Sequence, residues 1–443
     1  MRSGTTLSNL EIGFVSFPAL LVLIFLRVPI GLAMFAVGFA GLALVNGNIA
    51  IALAKLKSET FTTFSSYSLS IVPMFLLMGY FATLGGMSQA LFRAAESWLG
   101  HRRGGVAMAA IGACAGFGAI CGSSLATAAT MGRVALPELR KYGYEGGFAT
   151  AALAAGGTLG ILIPPSIVLV IYAILTEQNI AKLFLAAFVP GVLAAIGYVI
   201  TISVYVRLNP EAAGLRERMP YGERFRSLLD VWPVLLVFLA VVGGIYAGVF
   251  TPTEGAAVGA FGTGLIAWLN GGLTFGSLFA SFLSTGRSTA MIFFIVLGAA
   301  FYNGFLALTQ VPQELSAFVV DQGFSPWMVL SIVLLFYLVF GCLMDSLSMI
   351  LLTIPIFFPV ISGLDFGMSA EHVAIWFGIL VLIVVEVGLI TPPVGMILFI
   401  INTMEKATPI IETYKAVMYF VLSDIVRVVI LMLFPAITLF LIP

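Results

Sequence analysis

Two short spellings in this sequence join oxygen-bearing residues to backbone that cannot remain helical. Gly160-Ile161-Leu162-Ile163-Pro164-Pro165-Ser166 and Gly388-Leu389-Ile390-Thr391-Pro392-Pro393-Val394 each interrupt a long apolar stretch, Gly146–Thr176 and Val373–Thr403. Consecutive prolines remove two backbone donors and disfavour the preceding helical turn, so each stretch reads as two half-helices with an unwound link. Upstream of each lies a polar point in an otherwise apolar run: Gly122-Ser123-Ser124, and Met344-Asp345-Ser346-Leu347-Ser348. Bare carbonyls, hydroxyls and a carboxylate are hard oxygen ligands suited to a small cation such as Na⁺.

The pattern suggests two cation sites. One combines Ser123 and Ser124 with the carbonyls of Gly160, Ile163 and Pro165. The other combines Asp345, Ser346 and Ser348 with Gly388, Thr391 and Pro393. Half-helix N-termini carry positive dipole ends that face an anion well, which makes Ser124, Thr127, Ser166 and Ser348 candidates for an anionic substrate. A serine in an apolar helix commonly serves packing alone, whereas an intramembrane carboxylate such as Asp345 is costly and usually functional. Glu386 keeps three readings: orienting the unwound link, pairing with a cation such as Arg427, or ligating directly. Arg133, Arg287 and Glu254 read as interface anchors or hinge contacts, and the Gly112/Gly116 and Gly255/Gly259 spacings as close helix packing.

Composition supplies the setting. Of 443 residues, 61% are hydrophobic and 9% charged, against about 25% charged in soluble domains. Most of the surface must therefore face lipid. Zero net charge offers no face to nucleic acid. His101 and His372 lie at membrane edges, and Cys114, Cys121 and Cys342 lack metal-ligand or disulfide spacing, so neither a metal cluster nor a prosthetic group is expected. Residues 14–26 resemble a signal-peptide core, but no small-residue cleavage site precedes Arg27; they read as a retained first helix.

The expected fold is an all-α polytopic membrane protein. Full-length spans are predicted at 14–27, 29–46, 71–97, 181–207, 231–250, 253–270, 289–311 and 410–440. Stretches 48–67 and 272–287 read as arm helices lying along the membrane surface. The 104–139 stretch is too long for one crossing of a core about 30 Å thick and too short for two, and its flanks, Arg102, Arg103, Arg140 and Lys141, are all positive. It reads as a re-entrant hairpin opening to the cytoplasm. By analogy 325–364, flanked by Asp321, Asp365 and Glu371, is a second hairpin, although its length alone permits two crossings.

The order of elements repeats. Residues 1–207 hold scaffold helices 14–46, arm 48–67, hairpin 104–139 and broken helix 146–175. After a cytoplasmic linker at 208–230, residues 231–443 hold scaffold helices 231–270, arm 272–287, hairpin 325–364 and broken helix 373–403. Following the crossings puts fifteen of twenty Lys and Arg residues in the cytoplasm and both termini in the periplasm. An odd number of crossings per half makes the repeats inverted. Paired broken helices in duplicated halves point to a transporter.

The stretches Gly118–Thr127, Gly157–Ser166, Thr251-Pro252-Thr253-Glu254 and Leu389–Gly395, recurring in order along essentially the whole chain, resemble the large membrane subunit (M component) of TRAP, tripartite ATP-independent periplasmic, transporters of the ion transporter superfamily. The resemblance implies an elevator in which hairpins and broken helices move against a scaffold in the bacterial inner membrane. It implies co-transport of two or more Na⁺ ions with a small organic acid. It also implies two partner chains, a small four-helix membrane subunit (Q component) and a periplasmic substrate-binding protein (P component). The family's first sodium site maps onto Ser123, Gly160, Ile163 and Pro165, its second onto Gly388, Thr391 and Pro393, and Asp345 matches an acidic hairpin residue. The arginine that sialic-acid members carry ahead of that acid has no counterpart here, which argues against a sialic acid. A stand-alone sodium/dicarboxylate symporter of the same superfamily is the alternative; an enzyme finds no catalytic constellation.

Overall fold

Apolar runs punctuated by glycine and proline fold into a succession of helices in the computed structural model, which describes residues 8–442 and, among these, contains no strand. Arg2 and both chain ends lie outside the described residues. The first half comprises α1 (Asn9–Phe25), α2 (Ile30–Asn46), α3 (Ile49–Phe64), α4 (Ile71–Leu84), α5 (Met87–Leu99), α6 (Gly105–Cys121), α7 (Ser124–Lys141), α8 (Gly146–Leu162), α9 (Ile167–Thr176) and α10 (Ile180–Leu208). The second comprises α11 (Tyr221–Leu229), α12 (Trp232–Tyr246), α13 (Pro252–Leu269), α14 (Phe275–Thr309), α15 (Val311–Asp321), α16 (Pro326–Gly341), α17 (Ser346–Ser362), α18 (Ala370–Ile390), α19 (Met396–Met404), α20 (Ile410–Leu433) and α21 (Pro435–Leu439). Among the described residues α10, α14, α18 and α20 are singly long and apolar enough to cross a membrane, and counting each of three bent helix pairs as one span gives up to seven.

Local chemistry explains most boundaries. Thr251 and Glu254 form a reciprocal capping box that starts α13, with Pro252 in its first turn. That is where the structure places Glu254. Thr274 caps α14 in the same way through Ser277. Gly122 (φ +63°) ends α6 in the left-handed conformation that glycine adopts without penalty, and Ser123 then caps α7.

Three elements differ from the sequence-based expectation. No separate arm helix ends at 287: residues 275–287 supply the first part of α14, which runs unbroken for 35 residues. Neither proline nor cap interrupts it, and Gly286 meets open space. The expected 71–97 span is two helices, because Gly86 (φ +75°) turns the chain after α4. An additional helix, α15, follows α14.

The halves interlock. Helices of one half pack on helices of the other, α2 on α14 and α13 on α4. A Cβ on Gly38 would stand 2.6 Å from the Tyr302 backbone nitrogen, so only glycine lets α2 approach this closely. The 208–230 linker is clamped to α5 by Arg216–Glu96 (2.9 Å) and by Ser97 Oγ to Ser227 Oγ (2.8 Å). Two ion pairs tie the elements around the unwound links: Arg140 of α7 with Glu405 just after α19, and Lys182 of α10 with Glu371 of α18 (2.6 Å).

Candidate functional site

The first hairpin, α6–α7, lays its turn against the link between α8 and α9, helices bent by 44°. Contact is backbone to backbone. A Cβ on Gly118 would stand 2.7 Å from the Gly160 Cα, and one on Gly160 would stand 2.7 Å from the Ser123 carbonyl oxygen and 2.5 Å from Thr127 Oγ1. Ile167 N donates to Gly122 O at 3.4 Å, and the Pro165 carbonyl faces Gly122. Ser123, Thr127, Gly160 and Pro165 thus meet at one point, while Ile163 closes α8 with its N–H on Leu159 O (3.2 Å). Thr127 Oγ1 is fully buried without a hydrogen-bond partner. An orphaned hydroxyl among carbonyls is a donor set that fits a small hard cation.

The second hairpin, α16–α17, meets the α18–α19 link in the same manner. A Cβ on Gly388 would lie 2.7 Å from Gly341 Cα, and Cys342 Sγ approaches Pro392 O at 3.8 Å. Asp345 caps α17, accepting from Ser348 N (3.1 Å) and Ser348 Oγ (2.6 Å). Gly388 O accepts from Thr391 N (2.9 Å), Thr391 Oγ1 donates to Val387 O (2.6 Å), and Pro393 O accepts from Tyr414 OH (2.8 Å). Each of these carbonyls keeps a second lone pair. The Pro164-Pro165 and Pro392-Pro393 peptides are both cis.

Between the first hairpin and helices α4 and α14 lies a cavity of about 400 Å³. Ser123 forms part of its wall, together with Tyr80 and Thr83 of α4, Thr130 and Arg133 of α7, and Ser277, Ser281 and Ser284 of α14. Arg133 is exposed and has no acidic partner among the described residues, so the cavity carries an uncompensated positive charge. The other residues singled out for a substrate, Ser124, Thr127, Ser166 and Ser348, are buried and do not line it. Ser166 caps α9 through Leu169 N (3.4 Å). The α14 serines at i, i+4 and i+7 form a one-sided polar stripe that is visible in the sequence once the helix is known to be continuous. Arg133, read from the sequence as an interface anchor or hinge contact, is placed by the structure in the wall of this cavity.

Glu386 is not paired with Arg427. Its Oε1 accepts from Ser124 Oγ at 3.3 Å, whereas Arg427 is held by Asp424 at 2.9 Å.

A family model for the tripartite ATP-independent periplasmic transporter, DctM component, matches residues 17–437. The chain belongs to this family of TRAP transporter large permeases. It is 36% identical over 386 residues to the C4-dicarboxylate TRAP transporter large permease DctM of Pseudomonas aeruginosa, covering 87% of this chain and 88% of that one. The ectoine/5-hydroxyectoine large permease UehC of Ruegeria pomeroyi is 29% identical, covering 96% and 97%. Among solved structures the YdaH transporter of Alcanivorax borkumensis shares the fold, with a TM-score of 0.57 and 14% identity over 87% of this chain and 89% of that one. TRAP large permeases are transport proteins of the bacterial inner membrane, not enzymes, and they work with a periplasmic binding protein and a small membrane subunit. The serine-tipped hairpins and proline links described above are therefore parts of a permease.

Proposed function

We propose that this permease carries a small organic acid inward in symport with Na⁺, the acid being delivered by a periplasmic binding protein, with a four-helix membrane subunit completing the complex. The observation that carries this reading is the double position of Ser123. The residue belongs to the hairpin tip packed on Gly160 and also forms part of the wall of the arginine-bearing cavity. A cation held at the tip and an anion held in the cavity would then stabilise each other, which is what coupled binding requires. Both cation sites use the residues proposed from the sequence: Ser123, Gly160, Ile163 and Pro165 in one, Asp345, Ser346, Ser348, Gly388, Thr391 and Pro393 in the other. Two or more Na⁺ are co-transported.

The two hairpin and link units move as an elevator against α2, α4, α13 and α14. The halves are inverted repeats with re-entrant hairpins, the first entering from the cytoplasm and the second from the periplasm, and both termini are periplasmic. The matched glycine contacts of the two hairpins support a duplicated origin. The dicarboxylate name of one relative favours a carboxylate substrate.

The test is uptake into proteoliposomes containing the permease, its small subunit and candidate binding proteins, with succinate and related acids. Uptake should require a Na⁺ gradient and the binding protein. Equal uptake with K⁺ would remove the coupling; uptake without a binding protein would favour a stand-alone symporter.

A further inference from the structure

α18 is buried along its whole inner length, from Val373 to Ile390, and Glu386 lies within it at 1% exposure. A carboxylate there would ordinarily need a cation, yet no Lys, Arg or His pairs with it among the described residues. The charged groups acting on it are acids, Asp345 and Asp424, and Asp424 already holds Arg427. What Glu386 does meet is the start of a helix. Ser124, the first residue of α7, donates its hydroxyl to Oε1 at 3.3 Å, while Oε2 is buried without a hydrogen-bond partner. A helix N-terminus carries partial positive charge, so it can help hold a buried carboxylate where a salt bridge is lacking.

Position matters as much as charge. Glu386 precedes Gly388 by two residues, as Thr158 precedes Gly160 on α8. Thr158 bonds outward to Tyr198 of α10 (2.9 Å), so the two matched positions do different work. Ser124 follows Ser123 of the first cation site, and Glu386 itself stands two residues before Gly388 of the second. One side chain therefore ties the hairpin of the first site to the helix that carries the second, across the boundary between the halves.

We infer that Glu386 is a positioning residue that ties the tip of the first hairpin to the broken helix of the second site and couples the two cation sites, so that filling one favours filling the other. This rests on the sodium-binding reading above. The carboxylate does not ligate the ion; it fixes the placement of Ser124, and through it of Ser123, relative to Gly388 of the second site. Loss of the bridge leaves two sites that fill independently.

Binding of ²²Na⁺ to the purified permease in detergent, without substrate, tests this. The wild type should bind cooperatively, with a Hill coefficient well above one. Glu386→Leu should keep the same number of ions per chain and bring the coefficient close to one. Ser124→Ala, which cuts the bridge from the hairpin side, should lower it in the same direction. Glu386→Gln retains an acceptor for Ser124 and should recover most of the cooperativity; it also reports if the leucine variant does not fold. Unchanged cooperativity in Glu386→Leu and Ser124→Ala overturns the inference, as does a wild type that binds without cooperativity. Loss of one whole ion in both Glu386 variants also overturns it, because Glu386 would then be a direct ligand. A wild type with no saturable Na⁺ binding overturns the sodium reading itself, a result distinct from all of these.

Discussion

Gly118 lies flat against Gly160, so that a Cβ on the first would stand 2.7 Å from the Cα of the second. The second hairpin repeats the relation: a Cβ on Gly388 would be 2.7 Å from Gly341 Cα. In each case the obstacle is backbone, which cannot step aside as a flexible side chain can. Gly118→Ala and Gly388→Ala should therefore each cost about 1–3 kcal/mol by overpacking. The measurement is the thermal unfolding midpoint in detergent, with Gly286→Ala as control because Gly286 faces open space. A wild-type midpoint for Gly118→Ala would mean that the hairpin and the link are not in direct contact.

Asp345 has two separable roles, a charge and a helix cap. Asparagine caps a helix about as well as aspartate does, so Asp345→Asn keeps the acceptor for Ser348 N while removing the charge. The expected outcome is an unchanged unfolding midpoint with Na⁺-driven uptake greatly reduced. Ser123→Ala, by contrast, loses the α7 cap as well as a ligand and should cost about 1 kcal/mol in stability in addition to uptake. If Asp345→Asn transports at the wild-type rate, the acid is a cap and nothing more.

Features governed by neighbouring residues in the chain were legible in the sequence. Pro164-Pro165 and Pro392-Pro393 end their helices by removing donors, and Gly122-Ser123 supplies a left-handed C-terminus followed by an N-cap, so both links and the first turn could be located. Thr285-Gly286-Arg287 looks like a comparable interruption, yet nothing crowds or caps it and α14 passes through. Gly85-Gly86 carried a real signal, outweighed by the apolar residues of α4 around it. The cavity was hidden for a different reason. Arg133 and Ser281 are far apart in the chain, and only the packing of α7 beside α14 gives them a common space. Glu386 was legible as a buried acid, but its partner Ser124, 262 residues away, was not.

Arg133 is the cation of the cavity that holds Ser123. A charge-assisted hydrogen bond to a carboxylate contributes about 1.5–3 kcal/mol, so Arg133→Ala should raise the apparent KM for the acid by roughly tenfold or more. Arg133→Lys keeps the charge without the planar fork and should fall between. The apparent Na⁺ affinity measured without substrate should not change. Concentration-dependent uptake in proteoliposomes provides the measurement, and equal KM values for all three proteins would place the substrate elsewhere.

Behind the first link runs a buried chain of polar groups. Thr158 Oγ1 bonds Tyr198 OH at 2.9 Å, Tyr198 OH donates to Asp424 Oδ2 at 2.9 Å, and Arg427 lies 2.9 Å from Asp424 Oδ1. The chain ties α8, two residues before Gly160, to α10 and α20. Tyr198 is fully buried and Asp424 is 1% exposed, so neither group can turn to water instead. Removing one member of a buried ion pair strands the other and costs about 3–5 kcal/mol, whereas replacing both with apolar groups is often close to neutral. Asp424→Leu and Arg427→Leu should each lower the unfolding midpoint sharply, and the double variant should be more stable than either. Tyr198→Phe, which loses two hydrogen bonds but leaves the ion pair, should cost about 1–3 kcal/mol. A double variant whose losses simply add would show that the two charges do not interact.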